Sequence, residues 1–211
     1  MSRHRAPSPQ LPRWVAPMLA QPGTPFDSDD FLFEVKWDGA RALAFIEEGS
    51  FRLLSRQGLD RRARYPELAG LAHGPAGTVL DGEIVVLQNG QPDFRRLQAR
   101  EQTRTPLRIR LASQACPVTY VVFDLLYEAY RPLLAYSLTR RRQRLERLVE
   151  RLAMPQVAVS AGIVGAGRAL FQEVCRRGLE GMVAKRLSSR YQPGRRCEAW
   201  RKIKPRSGSM S

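Results

Sequence analysis

The sequence predicts an α+β fold made mainly of antiparallel strands, and three observations predict it. Apolar, β-rich runs are separated by short turn signals, Glu48-Gly49 and Asn89-Gly90, that join neighbouring strands as hairpins. One segment, residues 137–153, carries its apolar residues at helical spacing instead. The one glycine-rich helix entry, GIVGAGRAL, has no parallel strand–helix–strand alternation around it. With 211 residues, 43% of them hydrophobic, the chain can bury a substantial core as one domain.

The elements follow in order. Residues 1–29, rich in Pro, Ser and Asp, read as an extended lead-in, flexible over 1–13. FLFEVK (31–36) alternates as a strand, which puts Glu34 and Lys36 on one face. RALAFIEEGSFRLLSRQG (41–58) and TVLDGEIVVLQNGQPDF (78–94) read as the two hairpins, and VTYVVFDLLY (118–127) as a buried strand. In the helix over 137–153, Leu138, Leu145, Leu148, Val149 and Leu152 share a face, Arg142 can pair with Glu146, and the arginines read as a solvated surface. VAVS (157–160) is a short strand, followed by a helix near 167–177 that Gly178 ends in left-handed geometry. EGMVAKRL (180–187) and WRKIKP (200–205) close the series as strands. GIVGAGRAL (162–170) imitates a dinucleotide-binding glycine loop, but it lacks the third glycine and reads as a helix-entry loop.

A net charge of +15 points to a polyanionic partner, because neutralising phosphates is the sequence-independent part of nucleic-acid binding. No window has the roughly 18 consecutive apolar residues of a membrane helix, and the basic start has no apolar run behind it to form a secretory signal. A cytoplasmic, nucleoid-associated protein is expected, with no membrane partner. Cys116, Cys175 and Cys197 are odd in number and unclustered, so reduced thiols are expected rather than disulfides or a zinc site.

The lysines are the informative residues. Only Lys36, Lys185, Lys202 and Lys204 occur among 35 basic residues, the rest being arginine. A surface cation can be either residue, but an attacking amine cannot be a guanidinium, which does not deprotonate in a protein. Lys36 stands at a strand end before the tight turn Asp38-Gly39, and Lys202 and Lys204 are two apart on a strand and point the same way. Each taken alone is an ordinary edge residue or turn. Together, all four lie beside acidic-glycine turns on predicted strands, with Glu83 and Glu180 available to hold a divalent cation for polyphosphate chemistry.

EVKWDGAR (34–41) resembles the K-x-D-G-x-R signature of the covalent nucleotidyltransferases. SRQG (55–58), LDGE (80–83), YVVFDLLY (120–127), EGMVAK (180–185) and WRKIK (200–204) resemble the family's further motifs in the family's order. With VAPMLA upstream and YQPGRR before the last strand, the wording is most similar to the adenylation domain of bacterial ATP-dependent DNA ligases of the repair and end-joining type, over about residues 14–205. The resemblance implies an ATP-grasp-like nucleotidyltransferase fold, with two mainly antiparallel sheets flanked by helices. It implies that Lys36 attacks the α-phosphorus of ATP and holds AMP, with Mg²⁺ or Mn²⁺ as cofactor and nicked duplex DNA as the later acceptor. It places Glu34 near the adenine, Phe123 stacked on it, and Met182 or Val183 on its other side. Glu83 then contacts ribose or metal, Arg41 nucleotide or nick, and Arg56 ribose or a DNA phosphate. Glu180 helps hold the metal, while Lys185, Lys202 and Lys204 neutralise the α-phosphate.

Ligases of this family continue into an oligonucleotide-binding barrel, which the tail 206–211 cannot form. The expectation is therefore an adenylation module that is slow unless a protein partner supplies the closing surface. An RNA ligase or capping-type nucleotidyltransferase shares the lysine chemistry and is the nearest alternative. A non-catalytic module binding DNA nicks or ends is the alternative of another class.

Overall fold

A computed structural model describes residues 10–205; the lead-in over 1–9 and the tail 206–211 lie outside the described residues. In chain order the strands are β1 (Leu19–Pro22), β2 (Ser28–Val35), β3 (Ala40–Glu47), β4 (Ser50–Ser55), β5 (Thr78–Gln88) and β6 (Gln91–Pro92). They continue as β7 (Val118–Glu128), β8 (Arg131–Pro132), β9 (Val157–Val159), β10 (Gly162–Gly165), β11 (Met182–Arg186) and β12 (Arg196–Ile203). The helices are α1 (Phe94–Gln102), α2 (Pro106–Ala115), α3 (Leu138–Leu152) and α4 (Gly167–Arg176), with 3-10 turns at Arg62–Arg64 and Pro66–His73.

The strands form two sheets. The first has the order β1-β12-β11-β2-β10, antiparallel throughout except where β1 runs parallel to β12. The second has the order β4-β3-β5-β7-β8, with β6 paired to β5 and β9 added parallel to β7. Both hairpins form where the turn signals place them. Gly49 takes φ +66°, and Asn89 and Gly90 take +52° and +76°, the left-handed pair that a two-residue hairpin turn requires.

Alternation along the strands sorts the apolar residues into three clusters and stacks the layers. Ala44, Ile46, Leu80, Tyr120 and Val122 turn one face of the second sheet toward Leu145 and Leu148 of α3 and Leu68 and Leu71 of the 3-10 turn. Leu43, Phe45, Phe123 and Leu126 join Met18, Tyr191 and Trp200 in a second cluster that ties the two sheets together. Phe31, Phe33, Met182, Ala184 and Ile203 form the third with Val174 of α4. The helix α3 is capped by Ser137, whose hydroxyl accepts from the Arg140 amide, and ends on Ala153 at φ +47°. Gly178, at φ +63°, closes the chain after α4 as expected.

Four features depart from the sequence reading. The extended lead-in is docked from Leu11 onward: Leu11, Val15 and Met18 are buried, Arg52 donates to the carbonyls of Pro12 and Arg13, and Leu19–Pro22 is a strand. The arginines of α3 are not all solvated. Arg141 is fully buried and forks onto Asp124 at 2.7 and 2.9 Å, and Arg142 is buried against Glu34. The helices α1 and α2, and the 3-10 turns, had no periodic signal. The glycines of GIVGAGRAL serve packing, since β10 pairs antiparallel with β2 and a Cβ on Gly167 would strike the Phe26 carbonyl and the Phe33 ring.

Candidate active site

Lys36 sits on the four-residue crossover between β2 of the first sheet and β3 of the second, where the two sheets meet. Two local features fix it. Its amide donates to the Gly181 carbonyl at 2.9 Å, which ties the crossover to the start of β11. Gly39 lies so close to β5 that an added Cβ would collide with the Ile84 carbonyl and press on Glu83 and Val85, so only glycine permits this turn to lie against that strand.

The lysine faces a cleft of about 310 Å³ lined by Glu34, Lys36, Trp37, Arg41, Arg56, Glu83, Phe123, Val183, Lys185, Trp200, Lys202 and Lys204 among others. All four lysines therefore converge, although 36 and 204 are separated by most of the chain. The Lys36 ammonium pairs with Glu180, whose other oxygen takes Lys204 at 2.8 Å. Burial pushes the Glu180 carboxyl up, but the hydrogen bonds from Lys204 and Lys36 outweigh it and leave its pKa lowered. Lys202 lines the cavity from β12, opposite Val183 in the β11–β12 register. Lys185 is buried on β11; its ammonium lies 2.9 Å from Glu34 and 4.2 and 4.7 Å from the ring centres of Phe123 and Trp200. Burial lowers its pKa against the opposing pull of Glu34.

Arg41 forks onto Asp81 at 2.9 and 2.6 Å and lies 5.0 Å from the centre of Phe123. Burial disfavours its charge, yet Asp81 outweighs burial and its pKa is raised. Asp81 in turn accepts from the Tyr191 hydroxyl at 2.7 Å, which itself accepts from the Met18 amide at 2.9 Å. Glu83 stands opposite Arg41 in the β3–β5 register, and burial pushes its carboxyl up to about 8 despite Arg41 and Lys36 nearby. Asp38 is also raised, first by burial and then by Glu180. Arg56 is exposed, just beyond β4 at the cleft mouth.

One expected lining residue is elsewhere. Met182 is fully buried in the cluster beneath α4, on the face of β11 away from the cavity. Val183 and Lys185 take the cavity face because strand side chains alternate, so only Val183 of the pair lines the cleft. Trp200, Asp81, Tyr191 and Arg142 were not assigned from sequence. Asp81 carried a signal, as the residue two before Glu83 on the same strand face. Arg142 carried a misleading one, since Glu146 at i+4 gave it a sufficient surface partner and does lie 3.5 Å away.

Two sheets around a cleft that gathers four amines define the nucleotidyltransferase domain of ATP-dependent DNA ligases. The structure of mycobacterial DNA ligase D complexed with ATP and MES superimposes at a TM-score of 0.75 with 39% identity, covering 90% of this chain and 60% of that one. The chain belongs to the ATP-dependent DNA ligase domain family, whose pattern matches residues 17–204. It is 41% identical over 198 residues to the multifunctional non-homologous end joining protein LigD of Mycobacterium bovis, covering 90% of this chain and 24% of that protein. It is 32% identical over 192 residues to the SPbeta prophage-derived DNA ligase-like protein LigB of Bacillus subtilis, covering 90% of this chain and 67% of that one. The chain thus spans about a quarter of the length of LigD proteins such as that of M. bovis. RNA-ligase and capping-type alternatives are not favoured by these matches.

Proposed function

We propose that this chain performs the adenylation step of an ATP-dependent DNA ligase acting in DNA repair. The Lys36 amine attacks the α-phosphorus of ATP; a nitrogen–phosphorus bond forms as the bond to the bridging oxygen breaks, pyrophosphate leaves, and the amine sheds a proton. The observation that carries this reading is the convergence of Lys36, Lys185, Lys202 and Lys204 on one cleft together with Glu83. Phe123 and Val183 offer apolar surface to a base, with Glu34 opposite Val183 in the strand register and hydrogen-bonded to Lys185. Lys185, Lys202 and Lys204 are placed to offset charge gathering on the phosphate oxygens. Arg41, anchored by Asp81, and Glu83 bound the ribose side, and Arg56 at the mouth suits a phosphate of nucleotide or nick.

The chemistry implies Mg²⁺ or Mn²⁺, and the donor set fits it. Among the described residues there is no cluster of three or more His, Cys, Asp or Glu that could cage a metal. Glu83 and Glu180 instead flank Lys36, and these two carboxylates would hold the cation beside the bound triphosphate. Such a cation supplies charge neutralisation at the phosphates. Glu180, which pairs with Lys36, would help hold such a cation.

The AMP then passes to the 5′-phosphate of nicked duplex DNA, and the adjacent 3′-hydroxyl displaces it to join the strand. The Lys204 side chain is 52% exposed at the rim, so excluding water there calls for a closing surface from further chain or a partner protein. Incubation with α-labelled ATP and Mg²⁺ tests the first step. Acid-labile label is expected on the chain and none on Lys36→Ala; equal labelling of that variant would sink the reading. Lys185→Ala is expected to slow labelling on the order of 100-fold, the scale of removing one preorganised charge-stabilising group.

A further inference from the structure

Of the two carboxylates that line the cleft, Glu83 stands among Lys36 and Arg41, whereas Glu34 stands at the apolar end, opposite Val183 in the strand register. Both oxygens of Glu34 are committed to cations. One accepts from Arg142 at 2.6 Å and the other from the Lys185 ammonium at 2.9 Å. Arg142 comes from α3 and does not line the cavity. Its second terminal nitrogen donates to the Ser160 carbonyl at 2.5 Å, and the Ser160 hydroxyl accepts from the Trp37 indole at 3.1 Å. The guanidinium is thus fixed behind β2, spanning Glu34 and the residue after β9, with 10% and 2% of the Arg142 and Glu34 side chains exposed.

The planar guanidinium is itself held by the Ser160 carbonyl, so the prong it gives Glu34 fixes that carboxylate in one orientation, with its oxygens accepting. Adenine presents an amine donor at position 6, and guanine presents an oxygen acceptor there. A Glu34 oxygen held against position 6 therefore accepts from the first and meets the lone pairs of the second. When Lys185 turns toward the phosphate, one Glu34 oxygen opens for the base, and Arg142 keeps its hold on the other and so keeps the carboxylate aimed.

We propose that Arg142 is a positioning residue that sets the preference for a 6-amino over a 6-oxo purine by holding Glu34 aimed into the base end of the cleft. This rests on the nucleotide reading of the cleft but not on the transfer chemistry. The test is calorimetric titration of the Lys36→Ala chain, which binds without reacting, with ATP and with GTP in the presence of Mg²⁺. It is repeated in that background with Arg142→Gln and Arg142→Lys. The ratio of GTP to ATP dissociation constants is expected to fall about tenfold or more with Gln, the scale of one hydrogen bond to a charged acceptor. Lys keeps the charge but cannot fork to both partners, so an intermediate fall is expected, and this variant decides the matter should the Gln protein fail to fold. A ratio unchanged in Arg142→Lys, with both nucleotides weakened equally by Arg142→Gln, overturns the proposal and reduces Arg142 to a fold support. Arg142-dependent selectivity without lysine labelling of the unsubstituted chain sinks the adenylation reading alone; no binding of either nucleotide removes both.

Discussion

Glu83 and Gly39 show how single residues are constrained on either side of the Lys36 turn. Burial raises the Glu83 carboxyl to about 8, so its ionisation is disfavoured in the fold relative to the unfolded chain. The resulting contribution to stability is fully present below the ordinary carboxylate range and is lost as pH rises toward 8. The thermal midpoint of the nucleotide-free chain is therefore expected to fall between about pH 5 and about pH 8.5, and Glu83→Gln, which cannot ionise, is expected to flatten that fall in a fluorimetric melting series. Gly39→Ala places a methyl against the Ile84 carbonyl. A loss of about 1–3 kcal/mol is expected in denaturant titration, with lysine labelling impaired as the turn moves. The lysine nucleophile was legible because lysine is rare in this sequence and chemistry forbids arginine there. The groups behind it were not, because the bonds of Asp81 to Arg41 and Tyr191 span 40 and 110 residues and leave no local spacing.

Among the elements, α3 was read correctly as a helix and incompletely as a surface. Its leucine stripe fixes the apolar face, but nothing in a run of arginines tells which two turn inward. Arg141 is matched by Asp124 on β7, and removing one member of a buried ion pair leaves the other charge unmet. Arg141→Ala is accordingly expected to destabilise the chain by about 3–5 kcal/mol in equilibrium unfolding. Exposed Glu173, paired with Arg176 on α4, is an opposite case, and its loss is expected to be near neutral. The helices α1 and α2 were illegible for a related reason. In α1 the buried residues are Leu97 and Arg100, the latter held by Glu67, and α2 leaves Leu107 and Leu111 exposed, so neither has the apolar stripe that sequence reading detects. The Asp93 cap of α1, which accepts from the Arg96 amide, was the available signal.

For the molecule as a whole, the net charge of +15 governs how it meets a polyanion. Affinity for nicked duplex DNA is expected to fall steeply with salt, by about 0.9 log units per log unit of salt for each phosphate contacted. Arg56→Ala at the cleft mouth is expected to reduce that slope by about one contact, as read by anisotropy titrations across a salt series; an unchanged slope places DNA elsewhere. Antiparallel hairpins made the second sheet readable, since β3, β4, β5 and β6 pair with close neighbours. The first sheet was not readable as a sheet, because β2 pairs with β10 and β11, and β1 with β12, across most of the sequence. That arrangement orders events during synthesis. The β3–β5–β7 framework can close once residue 128 has left the ribosome, but the first sheet must wait for β12. Long loop closures come late and slowly. A nascent chain therefore carries its basic scaffold early and completes the cleft only when β12 pairs, so a version cut before Arg196 is expected to show no lysine labelling.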